Sequence, residues 1–224
     1  MTIFKENLTS KILQKNSLIL LNSFNVEKKV LEIGCGNGNI TKHLLKNQKR
    51  NNNFFCSDIS SESIEIFKNS ILEKTVEIKC GKFFDPWKKE KPFDLIISDV
   101  SSISEPIALA SPWYKGIVSN CGEDGLNNIN IILNDINEYL SSNGIFILPI
   151  ISLCNLEELD NKLKQNFINI KYTDKVFWPM PDFFKNQLSL FENLIKKKEI
   201  NLQYKFGSYY AFTSAAICSN NSHG

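Results

Sequence analysis

The sequence predicts an α/β fold, a doubly wound and mostly parallel sheet with helices on both faces. Three observations carry that prediction. Apolar strand-like runs alternate with helical stretches from residue 29 to about residue 150. Val30-Leu31-Glu32-Ile33 runs straight into Gly34-Cys35-Gly36-Asn37-Gly38, a strand feeding a glycine turn that opens a helix. A second apolar run, Phe54-Phe55-Cys56-Ser57, ends in Asp58, about 20 to 25 residues past the glycine loop, where a ribose-binding carboxylate would stand.

Taken in order, Leu8 to Phe24 carries Ile12, Leu13, Leu18, Leu20 and Leu21 at helical spacing, a helix ahead of the first strand that would cover the cleft. The first strand is Lys29 to Ile33, followed by a helix from about Asn39 to Asn47, and the second strand is Asn53 to Ser57. Ser60 is the cap candidate of a helix running to about Leu72. Val76 to Cys80 is the third strand, and Leu95 to Ser98 the fourth. A helix from about Asn127 to Leu140 ends in Ser141-Ser142-Asn143-Gly144, a cluster suited to a left-handed turn, and the fifth strand is Gly144 to Ile150. Alternation then stops. The expected order is a helix at Leu156–Gln165, a strand around Ile168–Val176, a break at Phe177-Trp178-Pro179-Met180-Pro181, a helix at Asp182–Lys198 and a last strand near Tyr209–Cys218. The organisation reads as an N-terminal helical segment over 1–28, one domain over 29–218 with a helical insertion at 177–200 near the substrate side, and a mobile polar tail at 219–224.

Glycines at a strand-to-helix turn remove the Cβ atoms that would keep a ligand from the backbone N–H groups. Dinucleotide enzymes use G-x-G-x-x-G there, with a pyrophosphate facing the helix N-terminus. Here the third glycine comes one residue early, and Glu32 precedes the first by two. A carboxylate at that point suits a cationic ligand, and S-adenosylmethionine carries a sulfonium and an ammonium group. In these residues, over about 28 to 151, the chain resembles the class I S-adenosylmethionine-dependent methyltransferases. The resemblance implies a Rossmann-like, seven-stranded sheet with an antiparallel C-terminal strand, and S-adenosylhomocysteine as the product left by the cofactor. It implies cofactor contacts from Gly34, Cys35, Gly36, Asn37 and Gly38 in the loop. Glu32 would reach the methionine end, Asp58 both ribose hydroxyls, and Ile59 would lie beside them.

At the adenine edge, Cys80-Gly81-Lys82-Phe83-Phe84-Asp85 departs from the family, which often has an acidic residue where Lys82 stands. Lys82 and Phe83 are the candidates there, with adenine read by backbone groups, by Asp85, or by stacking on Phe83 or Phe84; Trp87 reads equally as core. The fourth strand delivers Asp99-Val100-Ser101-Ser102, in the place of the N-P-P-[YF] motif of enzymes that methylate planar nitrogens. Glu105-Pro106-Ile107-Ala108-Leu109 and the Gly122 to Leu126 box also resemble the protein glutamine N5-methyltransferases, although the chain has only about 28 residues ahead of its first strand, too few for that group's separate recognition domain. Asp99, which also faces the cofactor methyl, is the candidate to orient or deprotonate an amine or hydroxyl. Ser101 and Ser102 would bind a polar group of the acceptor. Trp113 and Tyr114, in the long loop Ser111 to Gly116, and Trp178 from the late segment are candidates to enclose it; packing of the late helix competes for the neighbouring Phe177, Phe183 and Phe184. The histidines, His43 and His223, lie away from this mouth.

Composition is compatible with this reading. The chain has 224 residues, 42% of them hydrophobic, enough for a buried core, and a net charge of +2, which argues against a nucleic-acid partner. Six cysteines form no C-x-x-C pair, so no metal site is expected. No leader or membrane-spanning apolar run is visible, which predicts a cytoplasmic protein without a membrane partner. The expected partner is a small-molecule or peptide methyl acceptor, with a homodimer compatible. The competing readings are a non-catalytic cofactor-binding scaffold and a nucleic-acid base methyltransferase.

Overall fold

The computed structural model describes residues 7–72, 75–114, 120–184 and 186–220. His223, most of the expected tail, and Lys115 and Gly116 of the long loop lie outside the described residues. Helix α1 (Leu8–Ser23) leads into strand β1 (Lys29–Ile33), and α2 (Asn39–Asn47), β2 (Asn53–Asp58), α3 (Ser61–Asn69), β3 (Val76–Cys80) and β4 (Phe93–Ser98) follow. Beyond them come α4 (Glu105–Ala110), α5 (Asn127–Tyr139), β5 (Leu140–Ile151) and α6 (Leu156–Asn166). The chain closes with β6 (Asn169–Tyr172), β7 (Val176–Pro179), α7 (Leu188–Lys196), β8 (Gln203–Lys205) and β9 (Ser208–Ser219).

The sheet runs β3-β2-β1-β4-β5-β9-β6, seven strands along its main path. Strands β1 to β5 pair in parallel, and β9 lies antiparallel between β5 and β6. Its central strands are apolar on both sides because helices cover both faces. On one face Leu31, Phe55 and Ile96 pack with Ile129, Ile132 and Ile136 of α5 and Leu163 of α6. On the other, Val30, Phe54 and Leu95 pack with Leu13 and Leu21 of α1, Ile40 and Leu44 of α2, and Phe67 of α3. Leu13 is fully buried and Leu21 nearly so, and burial of each contributes roughly 1.5–3 kcal/mol, which fastens α1 to the sheet.

Four sequence expectations are corrected. The helix after Ser60 stops at Asn69, where the Ser70 hydroxyl donates to the Phe67 carbonyl, short of Leu72. The cluster Ser141 to Gly144 is no left-handed turn but part of β5: Phe93 pairs with Leu140 and Leu95 with Ile145, so the extra residues bulge while the strand continues. The strand expected around 168–176 is two strands, and the residues read as a break form β7. The 12-residue β9 has edge enough for both, taking β6 at Ala216–Ser219 and β7 at Tyr210–Thr213. Pro179 is tolerated at the end of β7 on the outer edge. The helix expected over 182–198 starts with a separate 3-10 turn, Asp182–Phe184, closed by Phe184 N–H on the Pro181 carbonyl, and α7 begins only at Leu188.

Ile151, the last residue of β5, pairs with Thr213, so the first five residues of β9 run past the carboxyl end of the parallel strands. Strands β7 and β8 flank that overhang, and α4 and α7 pack on it through Ile107, Phe191, Leu194 and Ala211. This is the end of the sheet at which a wound α/β fold binds its ligand.

Candidate active site

A cavity of about 1430 Å³ opens beyond the carboxyl ends of β1, β2 and β4. The glycine loop forms one wall, the segment 99–102 another, and the first turns of α1 and α5 complete the rim. Glu32, Gly34, Cys35, Gly36 and Asn37 all line it, as do Asp58, Ile59, Lys82, Phe83, Asp99, Ser101, Ser102 and Tyr114.

The loop is tied to β2 by its own backbone. Gly34 N–H and Cys35 N–H both donate to the Ser57 carbonyl, at 2.8 and 3.0 Å, and Gly38 N–H donates to the Cys35 carbonyl at 2.8 Å. Gly36 N–H donates to Asp58 Oδ2 at 2.8 Å. The N–H groups of Gly34, Cys35, Gly36 and Gly38 are therefore engaged inside the fold. A pyrophosphate would need them free. An ideal Cβ on Gly36, whose φ is +51°, would meet nothing within 4 Å, so the loop's tip faces open space. A Cβ on Gly38 would lie 2.2 Å from the Phe67 ring of α3. Gly38 does not line the cavity.

Glu32 sits on the cavity floor at 1% exposure. Its Oε2 accepts from Thr41 N–H at 3.1 Å and from the Thr41 hydroxyl. Burial pushes its pKa up to about 8 against that hydrogen bond, and the charges of Asp99 and Asp58 add to the rise. Asp58 uses both oxygens on the backbone, Oδ2 on Gly36 and Oδ1 on Ser60 N–H at 2.8 Å. Each oxygen keeps a second lone pair for a ribose hydroxyl. Ile59 is 75% exposed beside it, an apolar side chain open to a ligand. At the adenine edge the structure separates the alternatives. Phe84 is buried and stacked on Tyr139 at 4.2 Å, Trp87 is buried edge-on to Phe55, and Asp85 pairs with Lys88 at 3.1 Å. Phe83 is left on the cavity, its carbonyl held by the Ser57 hydroxyl at 3.1 Å, with the Lys82 ammonium 5.2 Å from its ring.

Asp99 N–H donates to the Ile33 carbonyl at 2.9 Å, which seats the residue beside the glycine loop. Its Oδ2 accepts from the Ser10 hydroxyl of α1 at 2.9 Å. Burial raises the Asp99 pKa to about 6, opposed by the Ser10 hydrogen bond and assisted by the charge of Asp58. The Ser101 hydroxyl lies 2.6 Å from the Tyr114 hydroxyl, and its carbonyl accepts from Asn128 Nδ2 at 3.4 Å. Ser102 Oγ and Asn130 Oδ1 are buried on the same cavity with no hydrogen-bond partner among the described residues. Lys82 is the one cation lining the cavity among the described residues, against the carboxyls of Glu32, Asp58, Glu62 and Asp99.

Trp113 and Trp178, expected to enclose the acceptor, lie outside the lining of this cavity. Trp113 packs edge-on against Trp178, Phe183 and Phe184 at 5.6–6.0 Å, and Trp178 Nε1 donates to Thr213 Oγ1 at 3.0 Å. The overhang of β9 needs an apolar cover, and these rings supply it. Residues the sequence reading did not single out also line the cavity: Asn7, Thr9 and Ser10 at the start of α1, and Asn127, Asn128 and Asn130 at the start of α5. Their signal was faint, a run of asparagines and one serine in a helical pattern. No helix among the described residues is long and apolar enough to cross a membrane, and no metal-ligating cluster occurs among them.

A family model described as a methyltransferase domain matches residues 24–207. The bifunctional methyltransferase of Rickettsia prowazekii is 31% identical over 150 residues, 63% of this chain. That match spans only 28% of the relative's length. Among solved structures, the YcgJ protein of Bacillus subtilis superposes with a TM-score of 0.57 at 13% identity, over 93% of this chain and 99% of that one. A TehB-like SAM-dependent methyltransferase from Corynebacterium glutamicum gives 0.51 at 13% identity, over 96% and 90%. At such identities the likeness is one of fold.

Proposed function

The chain belongs to the methyltransferase-domain family, and from that premise we propose that it is an S-adenosylmethionine-dependent methyltransferase acting on a nitrogen nucleophile, an amine or amide on a small molecule or peptide. The cavity suits the cofactor: carboxyls line it, the N–H groups of Gly34, Cys35, Gly36 and Gly38 are engaged internally, and the tip of Gly36 is open. Glu32 would face the methionine end, Asp58 the ribose and Phe83 the adenine. The bound cofactor supplies an electrophilic methyl group; this chain's residues must present a nucleophile with a free lone pair.

The observation that carries the acceptor reading is the half-buried Asp99 carboxyl between the glycine loop and Ser101–Ser102, with a pKa near 6. A base poised near neutral pH can take the proton that an amine nitrogen loses on methylation, and can orient an amide N–H by accepting its hydrogen bond. Surplus carboxyls disfavour a strongly anionic acceptor. The unpartnered Ser102 hydroxyl and Asn130 amide oxygen offer a donor and an acceptor to a polar one. Asp99→Asn tests this: labelled methyl transfer into the small-molecule and peptide fractions of a cell extract should fall by about 100-fold, within the range of a lost general base. Affinity for S-adenosylhomocysteine, read by calorimetry, should change by less than about threefold, a difference of well under 1.4 kcal/mol. Equal losses in both would remove Asp99 from the chemistry.

A further inference from the structure

Helix α1 lies wholly ahead of residue 24, where the family match begins, yet it reaches the centre of the site. Its apolar stripe, Leu13 and Leu21, is buried against the sheet with α2, and Gln14 Nε2 donates to the Asn39 carbonyl at 3.2 Å. The first turn is fixed by its N-cap, where Asn7 Oδ1 accepts from Ser10 N–H at 3.0 Å. With the turn held there, the Ser10 hydroxyl stands 2.9 Å from Asp99 Oδ2 and 3.4 Å from Asn7 Oδ1. The carboxylate is the nearer and the stronger acceptor. Ser10 is 8% exposed and lines the cavity.

We propose that Ser10 is a positioning residue of the active site, donating to Asp99 and orienting that carboxylate towards the acceptor, so that the N-terminal helix is a working part of the methyltransferase. The inference rests on the reading of Asp99 as the group that acts on the acceptor. Glu32 from β1, Asp58 from β2 and the Tyr114 hydroxyl also face Asp99; the Asp58 charge opposes its ionisation, while Glu32, with a pKa of about 8, is still protonated when Asp99 titrates and meets the Asp99 charge only afterwards. The hydrogen bond from Ser10 favours the ionised form, the one able to accept a proton. By holding Oδ2, it also fixes the plane in which Oδ1 is presented.

The test uses the full chain and needs no known acceptor. Asp side-chain carboxyls are labelled with 13C, Asp99 is assigned by its loss in Asp99→Asn, and its titration midpoint is followed in wild type, Ser10→Ala and Ser10→Thr. Removing a hydrogen bond to a charged group should raise the midpoint in Ser10→Ala by about one pH unit, and threonine should restore it. S-adenosylhomocysteine affinity should stay within about twofold, while methyl transfer into the extract falls by about fivefold at pH 6 and about twofold at pH 7, as one unit of midpoint implies. An unmoved midpoint in Ser10→Ala, or a threonine variant that behaves as alanine, overturns the proposal. So does a loss of transfer that is uniform across pH and matched by lost cofactor affinity, which marks a purely structural contact. If the midpoint moves but Asp99→Asn leaves transfer intact, the reading of Asp99 has failed, and the role of Ser10 fails with it.

Discussion

Replacing Glu32 with glutamine should stabilise the protein above neutral pH while depriving it of cofactor affinity. Glu32 is buried to 1% exposure, and its pKa is pushed from 4.5 to about 8, mainly by that burial. A group whose pKa is higher in the folded than in the unfolded chain contributes stability that is complete below the unfolded value and lost as pH rises through the folded one. Each unit in that window is worth about 1.4 kcal/mol. Between pH 5 and pH 8 the wild type should therefore lose up to about 4 kcal/mol through Glu32, a large share of the roughly 5–15 kcal/mol of an ordinary domain. Asp99, raised to about 6, adds a smaller loss between pH 5 and 6 that both proteins share. Glutamine keeps an amide oxygen for Thr41 and carries no charge, so the Glu32 share of the slope disappears. Urea unfolding followed by tryptophan fluorescence at pH 5, 6, 7 and 8 measures it. The two proteins should nearly coincide at pH 5 and differ by about 3–4 kcal/mol at pH 8, in favour of the variant. Calorimetry should show S-adenosylmethionine bound at least about tenfold more weakly by the variant. Parallel pH slopes, or a variant less stable at pH 8, would refute the assignment of a strained, buried carboxyl.

Two further outcomes follow from packing. Gly38→Ala puts a Cβ into a left-handed backbone with φ +81° and 2.2 Å from the Phe67 ring, which should cost about 1–2 kcal/mol of backbone strain and a further 1–3 of overpacking in urea unfolding; a loss under about 0.5 would contradict the crowding. Trp113→Ala should lower stability by about 2–3 kcal/mol, on the low side for a large aromatic because the ring is half-buried, and leave both S-adenosylhomocysteine affinity and the KM for the acceptor unchanged. A raised KM at wild-type stability would return Trp113 to the substrate pocket.

The parallel half of the fold was legible because each signal there is local. Strand β1, the glycine loop and α2 are written in 19 consecutive residues, Lys29 to Asn47, and apolar content on both faces follows from helices above and below. The C-terminal third was harder for a physical reason: β7 exists only because β9 is long enough to offer it an edge, and nothing within Val176–Pro179 records that. The contact of Trp113 with Trp178 was not legible, because exposed-loop aromatics look alike whether they meet a substrate or one another. The Ser10–Asp99 contact joins residues 89 positions apart, and only the docking of α1 creates it. Asp58 was located by spacing, but its duty to the Gly36 N–H was invisible, since a carboxylate that binds a ligand and one that braces a loop are the same letter.

That bracing has a kinetic meaning. With Gly34 and Cys35 bonded to Ser57, and Gly36 to Asp58, the loop and the end of β2 form one hydrogen-bonded unit whose shape is settled when the sheet assembles. A ligand arriving at such a surface meets a template rather than a fluctuating strand, and little ordering entropy is left to lose at the encounter. The loop's contribution to binding is then not offset by the cost of ordering its own backbone.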